Sequence, residues 1–112
     1  MSSLAALTIK AGDDFSRTLT ITDDAGAAVD ITGCTLTFHL RAPGGTTDAI
    51  TPAPTLALTT PGSGIATLTL TDTQTATLTA LTTYTYEIEM VDGTGLISTP
   101  IEGLAYIAGD LG

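Results

Sequence analysis

The sequence predicts an all-β fold, a single antiparallel sandwich of about seven or eight strands occupying residues 1–112. Three observations lead there. Apolar residues alternate with threonine along most of the chain, the period-two pattern of strands with one buried face. Turn-forming Gly, Asp and Pro recur at intervals of roughly 8–12 residues, the spacing of short sandwich strands. Threonine occurs 25 times, alanine 15 and glycine 12, with no tryptophan, and the branched Cβ of threonine suits a pleated, half-buried surface. An apolar content of 43% separates the chain from a disordered, mucin-like stalk. At 112 residues it can bury roughly 65% of its unfolded surface, enough for a core without disulfide or metal.

The elements follow in order. Residues 1–10 read either as an N-terminal arm or as a first strand, because Leu4, Ala5, Ala6 and Leu7 are apolar yet precede the clear alternation. In 15–22, Phe15, Leu19 and Ile21 share one face and Ser16, Thr18, Thr20 and Thr22 the other. Arg17 falls on the apolar parity, at a strand end or with its stem over apolar surface and its charge in water. The run DDAGAA closes a hairpin, and Val29 and Ile31 form a short strand or bridge ended by Gly33. The clearest strand is 34–41, with Cys34, Leu36, Phe38 and Leu40 inward and Thr35, Thr37, His39 and Arg41 outward. The connection 42–54, with Pro43, Pro52, Pro54 and two adjacent glycines, admits at most an edge strand.

A short strand is expected at 55–59, then a turn, then 65–70 with Ala66, Leu68 and Leu70 on one face. Thr71 and Gln74 fit a capping box opening a short helical turn near 72–79. Leu78 and Leu81 are expected to plug that turn onto the sandwich end, and threonine's poor helix propensity limits it to one or two turns. In 83–90, Tyr84, Tyr86, Ile88 and Met90 face inward and Thr85, Glu87 and Glu89 outward. The run VDGTG reads as a hairpin of the Asp-Gly type. In the last strand, about 96–107, Pro100 and Gly103 point to an edge position, a bulge or a switch between sheets. The tail 109–112 is expected to fray.

Charge narrows the function. Twelve acidic residues oppose three basic ones, Lys10, Arg17 and Arg41, for a net charge of −9. Nucleic acid and anionic membrane are therefore not expected as partners, whereas a basic protein surface is favoured. No apolar run reaches the ~20 residues of a membrane span. The first twelve residues lack the basic start of a signal peptide, so synthesis in the cytoplasm without Sec-type export is expected.

The residue inventory predicts no enzyme, with no catalytic residue, cofactor or metal site. Nucleophilic catalysis needs a nucleophile within hydrogen-bond reach of a base, yet Cys34 and His39, the single thiol and the single imidazole, fall on opposite faces of one strand. His39 reads as a plain surface residue and Cys34 as a small buried apolar group. The pairs Asp13–Asp14 and Asp23–Asp24 sit at opposite ends of one strand, too far apart to share a calcium ion, and read as turn acids. Glu87 and Glu89 share a face turned to water or a basic partner. Tyr106 is the one candidate platform for a sugar ring, and the GSG and GTG runs lie in hairpin turns rather than before a helix.

The stretch GDDFSRTLTITDDAGAAVDITGCTLTFHLRAPGG carries Gly12, Asp13 and Phe15, the box at 29–33, and Arg41 closing a strand. It resembles the opening of immunoglobulin-like domains from tailed-phage virions, in particular the baseplate upper-protein N-terminal domain family. The second half is similar as well, in TDTQTATL before Tyr84 and Tyr86, in the DGTG hairpin, and in the closing strand with Glu102 and Gly103. The resemblance spans nearly all of 7–110. It implies an immunoglobulin-like sandwich acting as a non-catalytic virion structural protein, a tail, baseplate or capsid-decoration component. Its implied partners are tail, baseplate, neck or major capsid proteins, met as a homo-oligomer in a symmetric assembly within the virion. The contacts are expected from residues 2–10, from the 42–54 loop and from the threonine faces, with deletion of 2–9 leaving a folded domain. The alternative is a host-surface or carbohydrate-binding module of the phage adsorption apparatus, with a host glycan on Tyr106.

Overall fold

The computed structural model describes residues 3–4, 6–23, 25–51 and 53–109, and the alternation of the sequence becomes two facing sheets. The strands are β1 (Ser3–Leu4), β2 (Leu7–Lys10), β3 (Phe15–Thr20), β4 (Thr35–Arg41), β5 (Ala57–Thr60), β6 (Ile65–Leu70), β7 (Thr82–Val91) and β8 (Ile97–Ala108). A 3₁₀ turn, Pro61–Ser63, precedes β6, and one short helix, α1 (Asp72–Ala76), joins β6 to β7. The larger sheet runs β1–β8–β7–β4 with β2 also on β8, and the smaller runs β3–β6–β5. The fourth, seventh and eighth strands thus oppose the third, sixth and fifth, the division of an immunoglobulin-like sandwich.

Alternate side chains from both sheets fill the space between them, among them Leu19, Leu36, Phe38, Leu40, Leu68, Leu70, Tyr86, Ile88 and Ile107, all buried. The Phe38 and Tyr86 rings meet at 5.6 Å between centroids in a tilted pair, a favoured aromatic contact. Met90 and Cys34 are only partly buried and pack on the margin of this core.

The pairing is antiparallel except at the N-terminus. There β1 and β2 run parallel to β8, with Ser3 opposite Ile101 and Leu7 opposite Ala105. Leu7 and Ile9 are buried while Thr8 and Lys10 are exposed, so residues 7–10 form a strand of the core and not a free docking arm. Removing 2–9 would strip two large aliphatic groups from that core, at about 2–5 kcal/mol each, so the truncation acts on stability as well as on docking.

With β2 on one side and β7 on the other, β8 is an interior strand, and of the three expected alternatives the bulge is the one realised. Its proline is accommodated by the expected bulge. Ile88 faces Ile101 but Met90 faces Ser98, so β8 holds one residue more than β7, around Pro100. A bulge is where a ladder donor can be missing. Gly103 and Leu104 lie across from the gap between β1 and β2.

The connection after β4 returns along that strand's outer edge. Ala49 N–H donates to Leu40 O, Phe38 N–H to Pro54 O and Leu56 N–H to Leu36 O, with bridges Arg41–Asp48 and Thr37–Thr55. The chain then crosses to the smaller sheet as β5. Ile50 and Leu56 are buried along this path.

Two hairpin loops share one construction. Asp23 N–H donates to Ala27 O and Gly26 N–H to Asp23 O, and Asp92, Leu96 and Gly95 repeat the pattern. Gly26 and Gly95 hold the left-handed φ of 82° and 90° that this loop demands. The second loop is therefore a three-residue turn with its special residue at Gly95, not a two-residue Asp-Gly turn centred on Gly93. In both, the aspartate carboxylate caps the loop. Asp92 Oδ1 accepts the Thr94 hydroxyl and the N–H groups of Thr94 and Leu96, and these bonds, the Thr94 hydroxyl first, hold its carboxyl below the ordinary value. Asp24 and the tail at 110–112 lie outside the described residues.

The corner around α1 is tied from three directions. Thr71 and Gln74 form the expected capping box. Gly12 N–H donates to Thr75 Oγ1, the Thr75 hydroxyl donates to Asp13 O, and Asp14 Oδ1 accepts Asp72 N–H. Tyr84 at the start of β7 accepts Thr79 N–H on its hydroxyl at 2.9 Å, the tyrosine corner of such sandwiches. Leu78 is buried as expected, but Leu81 is 73% exposed. It occupies a left-handed turn at φ 62° while its N–H donates to Ile107 O, so its backbone is held and its side chain is left in water.

Four outcomes follow for stability. Gly64 has φ 73°, and a Cβ there would lie 2.7 Å from both Ile21 O and Val29 O, so Gly64→Ala lowers the unfolding free energy by about 2–4 kcal/mol in denaturant titration. Gly93→Ala, with open space around it, stays within about 0.5 kcal/mol of the parent. Tyr84→Phe, which removes only the corner hydrogen bond, costs about 1 kcal/mol by the same measurement. The Thr94 and Leu96 amide resonances follow Asp92 ionisation with a midpoint below 3.8; because the folded value is depressed, the carboxylate's support is present above 3.8 and lost as pH falls through that midpoint.

Candidate functional site

The outward side chains of β4, β7 and β8 form cross-strand rows on the larger sheet. His39, Glu87 and Glu102 align in one, and Arg41, Thr85 and Leu104 in the next. Thr83, Tyr106 and Thr8 form a third. Between the first two rows lies a shallow groove of about 400 Å³.

Asp48 organises one wall. The bridge between Arg41 and Asp48 brings its carboxylate 3.1 Å from His39 Nδ1 and 3.4 Å from Arg41 Nε. On the other side His39 Nε2 lies 3.9 Å from Glu89 Oε1. His39 is consequently half-buried between two carboxylates, a correction to its reading as a plain surface residue. The sequence pattern set the orientation of His39 but gave no sign of Asp48, nine positions away in an irregular connection, or of Glu89 as its second neighbour.

A His–Asp pair is two parts of a nucleophilic triad, which needs a hydroxyl or thiol at the far ring nitrogen. That nitrogen meets the Glu89 carboxylate here. Cys34 packs at the core margin, and burial, helped by the negative charges of Asp92 and Asp30, pushes its thiol above the ordinary value, which disfavours the reactive thiolate. Among the described residues no group of three or more His, Cys, Asp or Glu is placed to hold a metal ion, and no helix is long and apolar enough to cross a membrane.

The other residues singled out from the sequence divide by role. Asp13 and Asp14 anchor α1, and Asp23 caps its turn by accepting from Ala25 and Ala27. Glu87 is exposed beside the groove, and Glu89 is half-buried against His39. Asp48, Ala49 and residues 54–56 are committed to the β4 edge. Tyr106 does lie on the outer face, 41% exposed, next to Leu104 at 56%. Thr8, Thr83 and Thr85 are exposed around them, so an apolar centre is ringed by threonines and bordered by Glu87 and Glu102. No protein-family model matches the chain, and comparison with curated proteins finds no match either.

Proposed function

We propose that the chain is a non-catalytic docking domain of a tailed-phage virion, a tail, baseplate or capsid-decoration component held by other virion proteins. The observation that carries this reading is the pair Leu104 and Tyr106, exposed on the outer face of β8, an interior strand of the larger sheet. Apolar side chains at a strand's outer parity gain nothing from the sandwich core, and tyrosine is enriched among the residues that dominate binding energy in interfaces. The acidic border and the net charge of −9 favour a basic partner surface. Repetition around a symmetric particle would multiply a modest contact into stable attachment. The sequence resemblance to virion immunoglobulin-like domains supplies the biological setting. A second reading, a carbohydrate-binding domain of the adsorption apparatus, draws on the exposed Tyr106 ring, and glycan-array binding that disappears in Tyr106→Ala would favour it.

The test separates folding from docking. The double variant Leu104→Ser, Tyr106→Ser keeps its unfolding free energy within about 1 kcal/mol of the parent, since both sites are exposed. Supplied in trans during phage assembly, it is depleted from purified particles in which the parent chain is present. Incorporation of the variant at the parent level would overturn the outer face as the docking surface.

A further inference from the structure

We propose that the free edge of β3 accepts an extended segment of another protein, one that carries a carboxylate opposite Arg17. This site lies on the smaller sheet and does not depend on the outer-face reading.

The four sheet edges differ in availability. The β4 edge is occupied by Asp48, Ala49 and residues 54–56. β5 has four residues, a register shift between Leu58 and Thr60, and Pro61 at its end, features that blunt an edge. β2 has four residues and is separated from β1 by a gap in the ladder. β3 alone offers six residues of unbroken register, paired on one side only among the described residues.

Its free hydrogen-bonding groups can be assigned. Ile21 N–H donates to Gly64 O, and in the antiparallel register that sets Leu19 opposite Ala66 and Arg17 opposite Leu68, odd-numbered residues face β6. The N–H and C=O of Ser16, Thr18 and Thr20 therefore point to the open side, because pairs alternate along an antiparallel ladder. Their short side chains leave the approach uncrowded.

Arg17 selects the occupant. It sits on the parity that faces the other sheet, yet it is exposed, at the mouth of the sandwich. Its charge reaches Tyr86, whose phenol burial pushes up and Arg17 pulls back. Lys10 pairs with Asp13 and Arg41 with Asp48, while Arg17 makes no ion pair among the described residues. A strand laid along β3 with a carboxylate on that face would supply one. A second copy fits poorly: of the two two-fold pairings that overlap most, Thr18 against Thr18 sets Asp13 against Asp23 at both ends and the other sets Arg17 against Arg17, between chains of net charge −9. An inward-pointing charge on an edge strand is also a known guard against indiscriminate pairing.

The experiment titrates the labelled full chain with two synthetic peptides of about nine residues, alternating threonine and valine, one centred on glutamate and its twin on lysine. The glutamate peptide is expected to slow hydrogen exchange of the Ser16, Thr18 and Thr20 amides about tenfold and to bind about five- to tenfold more tightly than its twin. Arg17→Thr removes that preference. Thr18→Pro takes away an edge donor but no bond to β6, and abolishes peptide binding; if it does not fold, the Arg17→Thr comparison decides. Absence of selective protection at the three amides, or equal binding of both peptides by the parent chain, would overturn the site. A Thr18→Pro chain that enters particles normally while the parent's edge amides stay unprotected would do the same and leave docking through the outer face standing.

Discussion

Parallel pairing of β2 with β8 is the constraint on which the other features of the structure rest. It carries Leu7 and Ile9 into the space between the sheets and makes an interior strand of β8. An interior strand has to satisfy donors on both sides, which is why Pro100 appears where the ladder with β7 slips by one residue. The same choice leaves β3 without a second neighbour among the described residues. The N-terminal segment closes one sheet and, by doing so, leaves the other open.

The strand interiors were legible in the sequence because period-two burial is a local property. The inward sets Leu36–Phe38–Leu40, Ala66–Leu68–Leu70 and Tyr84–Tyr86–Ile88 are all buried, and the capping box at Thr71 and Gln74 is formed. The misread positions lie where structure depends on partners far along the chain. Leu81 has the right spacing to plug the corner, but a hydrogen bond to Ile107 fixes it in a left-handed turn. Tyr84 was legible as a core residue, while its role as the corner tie requires Thr79 to be folded back onto it. Asp13 and Asp14 look like ordinary turn acids until α1 is placed over them.

The same division applies to the candidate site. Alternation alone put His39, Arg41, Thr85 and Glu87 outside the core. It could not show that Asp48 and Glu89 flank the imidazole, because Asp48 arrives from a connection without periodicity. Nor could it rank Leu104 and Tyr106 as exposed neighbours on β8, since the face of that strand turns on how Pro100 and Gly103 are absorbed. Both surfaces of interest, the outer face around Tyr106 and the β3 edge, are what remains once the sandwich has satisfied its own core and its own ladders.

Native-state amide hydrogen exchange at Ile9 and Ala11 tests the seating of the N-terminal strand most directly. Ala11 N–H donates to Ala108 O, and alternation turns Ile9 N–H toward β8 as well. If β2 belongs to the core, both amides exchange only through the opening that releases β7 and β8, with the same free energy. Exchange at the rate of exposed loop amides, while β7 and β8 stay protected, would contradict that seating and return residues 7–10 to the status of an arm.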